Sequence, residues 1–271
     1  MKKLLLSGLV LASLGLQAAD LDLFKGLSGS LNIAGGTAHI DCEKEAIKNI
    51  MKAYPSINIT IAGGGSGVGI KQVSEGLIDL ANSGRAPKKE EIERANLKSQ
   101  IFAIDGIAIV VNPKSKLSSL NSAQLIDIFS GKIKTFKELG MEGGTINLYV
   151  RDASSGTREV FSEKAINKSA ISESAKVVAS NAAMKTAIAS DVDGIGFISL
   201  GVADESVKLL CIDAVCPTVK SVISNEYKIS RGLYVVTKGE PNPLAKAFIS
   251  YLKSDEGAKI AEQHGFIAYK D

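Results

Sequence analysis

Three times in this chain a short apolar run ends in glycine beside a hydroxyl residue and passes directly into helical periodicity: AGGTAHI at 34–40, AGGGSGVGI at 62–70 and RDASSGTREV at 151–160. A strand that gives way at once to a helix does not return through a tight hairpin. Repetition of the unit therefore calls for a largely parallel sheet with helices packed on its faces. Each helix start leaves amide N–H groups without intrahelical partners and carries partial positive charge. Glycine lets a ligand approach the backbone there, and hydroxyls add donors of adjustable direction. Taken singly, each stretch reads as an ordinary N-cap; taken together, the three read as an anion site.

The rest of the chain follows the same alternation. LNIAG (31–35), INITIAG (57–63) and IDLAN (78–82) read as strands separated by helices through IDCEKEAIKNIMKAY and IKQVSEGL. FAIDGIAIVVNP (102–113) is a longer apolar run suited to crossing between lobes, after which the pattern restarts. A helix at SAQLIDIFSG, a strand at TINLYV, a helix from Thr157, a strand near AKVVAS, a helix at NAAMKTAIAS and a strand at IGFISL form a second set. RGLYVVTKG (231–239) reads as a return crossing, and NPLAKAFISYLKSDEGAKIAEQHGF supplies two closing helices. The expected architecture is α/β with two lobes, each a mostly parallel sheet flanked by helices, joined by two hinge crossings. Lobe I is expected at 20–107 plus 231–271 and lobe II at 108–230, with a ligand cleft where strand ends face each other.

Residues 1–19, MKKLLLSGLVLASLGLQAA, combine Lys2 and Lys3, an apolar run from Leu4 to Leu16 and small residues at Ala18 and Ala19. The run is too short to span a bilayer, so it reads as a secretory signal peptide and points to the periplasm. No cysteine lies near its end to carry a lipid. Without the two lysines the formal charge falls from +3 to +1, which gives no general case for nucleic acid or an anionic membrane as a partner. The 5% aromatic content and the absence of tryptophan also weigh against base stacking. In an oxidising compartment CIDAVC suggests a Cys211–Cys216 bridge and leaves Cys42 as a buried thiol. A metal site would have to draw on His39 and His264, whose spacing matches no zinc pattern, and no cofactor is expected.

The anion reading assigns side-chain donors to Thr37, Ser66, Arg151, Ser155 and Thr157, and backbone donors to Ala38, Gly156 and Thr157. Arg151 adds a fixed fork suited to a tetrahedral oxyanion. His39 reads instead as a helix-surface residue. GGGSGVGIK is not a P-loop, because Lys71 lies between Ile70 and Gln72. Ser66 is not in a nucleophile elbow, because Val68 stands where the second glycine is required. A phosphate-ester enzyme would need a metal cluster or a placed base, and the sequence shows neither.

GGT near the start, GGGSGVGIKQV, RDASSGTREVF, DGIGFISLG (193–201), YKISRGLYVVTKG (227–239) and AFISYLKSDEGAKIAEQHGF (247–266) occur in an order that resembles the substrate-binding proteins of bacterial phosphate ABC transporters. The similarity runs from about Leu31 to the C-terminus. It implies a type II periplasmic-binding fold, closure of two lobes around inorganic phosphate, delivery to a membrane permease, and a monomer. It also implies phosphate contacts at Thr37, Ala38, Ser66, Arg151, Ser155, Gly156 and Thr157. Some members use aspartates to accept the proton of phosphate; here Gly84 and Ala153 stand at those places. The loop LANSGRAP approaches the serine-arginine pattern of other branches through Ser83 and Arg85, and Asp152 either accepts the proton or orients Arg151. Sulfate, molybdate and tungstate thus stay open as alternative ligands.

Overall fold

The computed structural model describes residues 20–269; the anticipated signal peptide lies outside them. Strand β1 (Gly29–Gly35) leads into helix α1 (Ile40–Ala53), β2 (Ile57–Gly64) into α2 (Ser66–Glu75), and β3 (Leu80–Ser83) into the short α3 (Lys89–Ala95). The long β4 (Leu97–Val111) then crosses to the other half. There the chain forms β5 (Ser119–Leu120), α4 (Ser122–Phe129), β6 (Asn147–Arg151), α5 (Gly156–Lys164), β7 (Lys176–Val178) and α6 (Asn181–Ser190). It continues through β8 (Gly194–Ser199), β9 (Lys208–Leu209), β10 (Cys211–Ile212) and α7 (Val219–Ile223). Strand β11 (Ser230–Lys238) returns, and α8 (Pro243–Leu252), α9 (Asp255–Gln263) and β12 (Ile267–Ala268) close the fold.

The principal strand order is β2-β1-β3-β11-β4-β8-β6-β7. Each flank is a parallel triplet: β1 pairs in parallel with β2 and β3, and β6 does so with β7 and β8. The crossing strands run antiparallel to both flanks. Strand β4 pairs with β11 over Leu97 to Gly106 and with β8 over Ile107 to Val111, so one backbone ladder passes through both lobes instead of ending at a flexible linker.

Two main cores lie on either side of this ribbon. The first packs Leu31, Ile33, Ile50, Phe102, Leu233 and Phe248; the second packs Ile109, Leu125, Phe129, Val150, Phe161 and Phe197. Phe161 and Phe197 stack with centroids 4.0 Å apart, which ties α5 to β8. Ring contacts of this kind contribute about 1 kcal/mol beyond the area they bury. Cys211 and Cys216 are bridged, and Cys42 is a buried free thiol in the first core.

Caps separate ordinary helix starts from unusual ones. Asn121, Ser180, Asn242 and Ser254 cap α4, α6, α8 and α9 with side-chain oxygens. Helices α1 and α2 have no side-chain cap, so neither Thr37 nor Ser66 serves the role that an isolated reading would give it. Ser155 does cap α5, accepting from Arg158 N. The turn into α1 requires glycine: Gly35 has φ of 130°, and a Cβ there would stand 2.3 Å from the Asn82 carbonyl oxygen.

Candidate functional site

The turns that end β1, β2 and β6 meet between the lobes around a small cavity. Thr37 and Ala38 come from the first turn, Ser66 from the second, and Arg151, Ser155, Gly156 and Thr157 from the third; all seven line the cavity. Ser83 and Asp152 do not. The Ser83 hydroxyl donates to its own loop at Arg85 O (2.7 Å). Asp152 Oδ1 accepts from Ser154 N (2.9 Å) and from the Ser154 hydroxyl, while Oδ2 stands 3.8 Å from Arg151 Nη2. Asp152 thus folds its turn and sits beside the arginine instead of facing the cavity.

The hydroxyls share one feature. Thr37 Oγ1 accepts from Asn181 N (3.2 Å), Asn181 Nδ2 (3.1 Å) and Arg151 Nη1 (3.4 Å). Ser66 Oγ accepts from Gly84 N (2.9 Å), Ser155 Oγ from Arg158 N (3.2 Å), and Thr157 Oγ1 from Arg231 Nη1 (2.9 Å). With its oxygen engaged by an N–H of the wall, each group keeps its own hydrogen to donate. The cavity is therefore rich in donors and suits an acceptor-rich guest.

Arg151 is 1% exposed, and its guanidinium is held by Val178 O (3.1 Å from Nε) and Ala179 O (3.0 Å from Nη2). Burial lowers its pKa to about 10, Asp152 opposes the shift and Arg231 reinforces it; the group stays charged at neutral pH. Arg231 also lines the cavity and is neutralised by Asp105, whose Oδ2 accepts from Nε (3.0 Å) and Nη2 (2.8 Å). Asp105 Oδ1 takes the Ser199 hydroxyl (2.9 Å). Of these buried charges, the one on Arg151 is the less well matched: its nearest carboxylate, Asp152, stands 3.8 Å away, is partly exposed and is not hydrogen-bonded to it. The N-termini of α1, α2 and α5 add partial charges of up to about half a unit each. A desolvated dianion offsets this imbalance.

The lobes are closed over the cavity. Ser154 O accepts from Gly67 N (2.9 Å), and Ser154 Oγ donates to Gly64 O (2.9 Å). Arg85, held by Glu91 on its own lobe, reaches Glu159 on the other (2.9 Å).

A family profile for the PBP superfamily domain matches residues 25–256. The chain belongs to the PBP superfamily. Among relatives of this PBP-superfamily chain is the phosphate-binding protein PstS of Bacillus subtilis, 37% identical over 90% of this chain and 82% of the relative. A Clostridium perfringens structure described as a phosphate ABC transporter substrate-binding protein, solved with bound phosphate, superposes with a TM-score of 0.84 at 29% identity, covering 89% of this chain and all of that one. An ABC-type phosphate transport receptor from Vibrio cholerae gives a TM-score of 0.72 at 29% identity, covering 88% and 100%.

One expectation is overturned in this PBP-superfamily chain. His39, expected on the surface of its helix, is fully buried. It precedes α1 where the chain folds in over the sheet, so its ring projects inward to Phe102, with centroids 5.5 Å apart. Burial and the charge of Arg231 lower its pKa to about 3, which keeps it neutral. Arg231 and Asn181 were not anticipated. The signal for Arg231 was present: an arginine in one apolar crossing and Asp105 in the other, which the register sets opposite each other. Gly84 likewise has a reason, since a Cβ there would stand 2.4 Å from Arg231 Nη1.

Proposed function

We propose that the protein captures inorganic phosphate between its lobes, outside the cytoplasm, and delivers it to an ABC permease for import. The observation that carries this reading is the convergence of donors from three helix starts on one cavity beside the buried guanidinium of Arg151. The phosphate-binding and phosphate-transport names of the Bacillus, Clostridium and Vibrio relatives support the choice of phosphate. Thr37, Ala38, Ser66, Arg151, Ser155, Gly156 and Thr157 are the proposed contacts, joined by Arg231. The lobes are taken as 20–107 plus 231–271 and 108–230, with the exposed rims of both meeting the permease and the protein acting as a monomer.

Binding without turnover fits the chemistry of the wall. Hydroxyl oxygens that already accept from backbone and side-chain N–H groups are poor nucleophiles, and no base is hydrogen-bonded to any of them. Among the described residues no helix is long and apolar enough to cross a membrane.

Calorimetric titration of ligand-stripped protein is expected to show phosphate binding at least about 100-fold tighter than sulfate, molybdate or tungstate. Absence of phosphate binding overturns the reading, and turnover of a chromogenic phosphate ester replaces it with an enzyme.

Gly156 supplies a test of closure. In the closed form a Cβ at this position would stand 2.3 Å from Ser66 Oγ on the opposite lobe and 3.1 Å from the Gly84 carbonyl carbon. Gly156→Ala is expected to leave the unfolding temperature of the ligand-free protein nearly unchanged and to weaken phosphate binding at least about tenfold, because the lobes no longer meet. Unchanged affinity in calorimetry counts against closure as the binding step.

A further inference from the structure

Beside the cavity the two lobes also meet through charge. Arg85 directly follows Gly84, which lines the cavity, and Glu159 lies just beyond Thr157 in the first turn of α5, so both side chains grow out of the cavity wall. Arg85 is 9% exposed, and its Nη1 and Nη2 donate to Glu91 Oε2 and Oε1 (both 2.8 Å), which matches its charge within the first lobe. The remaining Nε is left for Glu159 Oε2 of the second lobe, at 2.9 Å. Lys88 Nζ approaches the other Glu159 oxygen, Oε1, at 3.6 Å. Glu91 is fixed in turn, because its Oε2 also accepts from Lys88 N (2.7 Å).

The charges balance only across the boundary. On the first lobe two cations, Arg85 and Lys88, face one anion, Glu91, and the excess positive charge is answered by Glu159. Glu159 also belongs to the helix whose Gly156 and Thr157 line the cavity. A bare carboxylate in that first turn competes with the guest for the same positive helix end, and pairing with Arg85 and Lys88 relieves the competition. An exposed ion pair shifts an equilibrium by no more than about fivefold. Here the side chains of Arg85, Glu91 and Glu159 are 9%, 17% and 31% exposed, so salt screens the contact only in part.

We propose that Glu159, clasped by Arg85 and Lys88, is an electrostatic latch that forms on closure and governs how long the anion is held. The three act as positioning residues and do not touch the ligand. The inference rests on the anion-binding reading above. Opening the cavity breaks the contact between Arg85 Nε and Glu159 and bares a carboxylate near the head of the anion's own helix, which slows release. Capture precedes closure and is left unchanged. The bonds of Ser154 to Gly64 and Gly67 hold the same boundary without any dependence on charge.

Release rates of inorganic phosphate from phosphorus NMR exchange, combined with calorimetric affinities, test the proposal. Glu159→Gln is expected to speed release about 5- to 20-fold and to leave the association rate within about twofold. Raising sodium chloride from about 0.05 to 0.5 M is expected to speed release from the wild-type protein more than from this variant. Because the latch is absent from the open form, the ligand-free unfolding temperature is expected to stay within about 2 °C. Lys88→Glu, at a position where the side chain is 51% exposed, covers the case in which Glu159→Gln does not fold, and is expected to speed release about 2- to 5-fold. Release at the wild-type rate, or a loss of affinity that lies in association, overturns the latch and leaves phosphate binding intact as a function. A clear drop in the ligand-free unfolding temperature assigns the contact to structure and overturns the latch as well. A wild-type protein that binds no phosphate overturns both readings.

Discussion

Replacing Arg151 by leucine is expected to cost roughly 2–5 kcal/mol of phosphate binding, about 30-fold to several thousandfold in affinity. The size follows from burial and from the absence of a substitute. The guanidinium is 1% exposed and anchored by two carbonyls at the end of β7. Arg231, the other buried cation at the cavity, is already matched by Asp105. A dianion would then be left to hydroxyls and helix amides, in a site that water no longer reaches. Calorimetry checks the value, and wild-type affinity in the variant removes Arg151 from the site. The ligand-free variant should still fold, because removal of a desolvated charge offsets the loss of its contacts with Val178 O, Ala179 O and Asp152.

Asp105→Ala is expected to act in the opposite place, on stability. It strips Arg231 of its counter-ion and leaves the Ser199 hydroxyl without its acceptor. Removing one partner of a buried pair costs about 3–5 kcal/mol. Denaturant unfolding of the ligand-stripped protein measures it, and a loss below about 1 kcal/mol means that the Arg231 charge is solvated after all. Added phosphate should restore part of the loss by supplying a second counter-ion and by binding only the folded state.

The parts of the fold that were legible in the sequence are those where one physical rule dominates. The span of NAAMKTAIAS emerged as α6 because its Ser180 cap and apolar period agree. The three glycine-hydroxyl turns were legible because strand, turn and helix follow without interruption. Helix α3 was not: KEEIERA has no buried residue, and its Lys89–Glu93 pair and capping contacts leave no apolar stripe to read. Ser66 also opens its helix several residues earlier than IKQVSEGL suggests, because glycines hide the start from any periodicity argument. His39 escaped for a different reason. Whether the residue before a helix points out or in depends on the angle at which the chain enters, and that is a tertiary fact. Arg231 illustrates the same limit, since its partner lies 126 positions away across the ribbon.

The ladder shared by β4 and β11 limits how the protein moves. Two antiparallel strands bonded along their length resist sliding but accept changes of twist, so separation of the lobes has a single soft axis running through the crossings. In the proposed role, a permease that pulled on the far edges of both halves would work as a lever against that axis. Its leverage would fall first on the cross-lobe bonds of Ser154 and Glu159, which would make docking and discharge of the cargo one mechanical event.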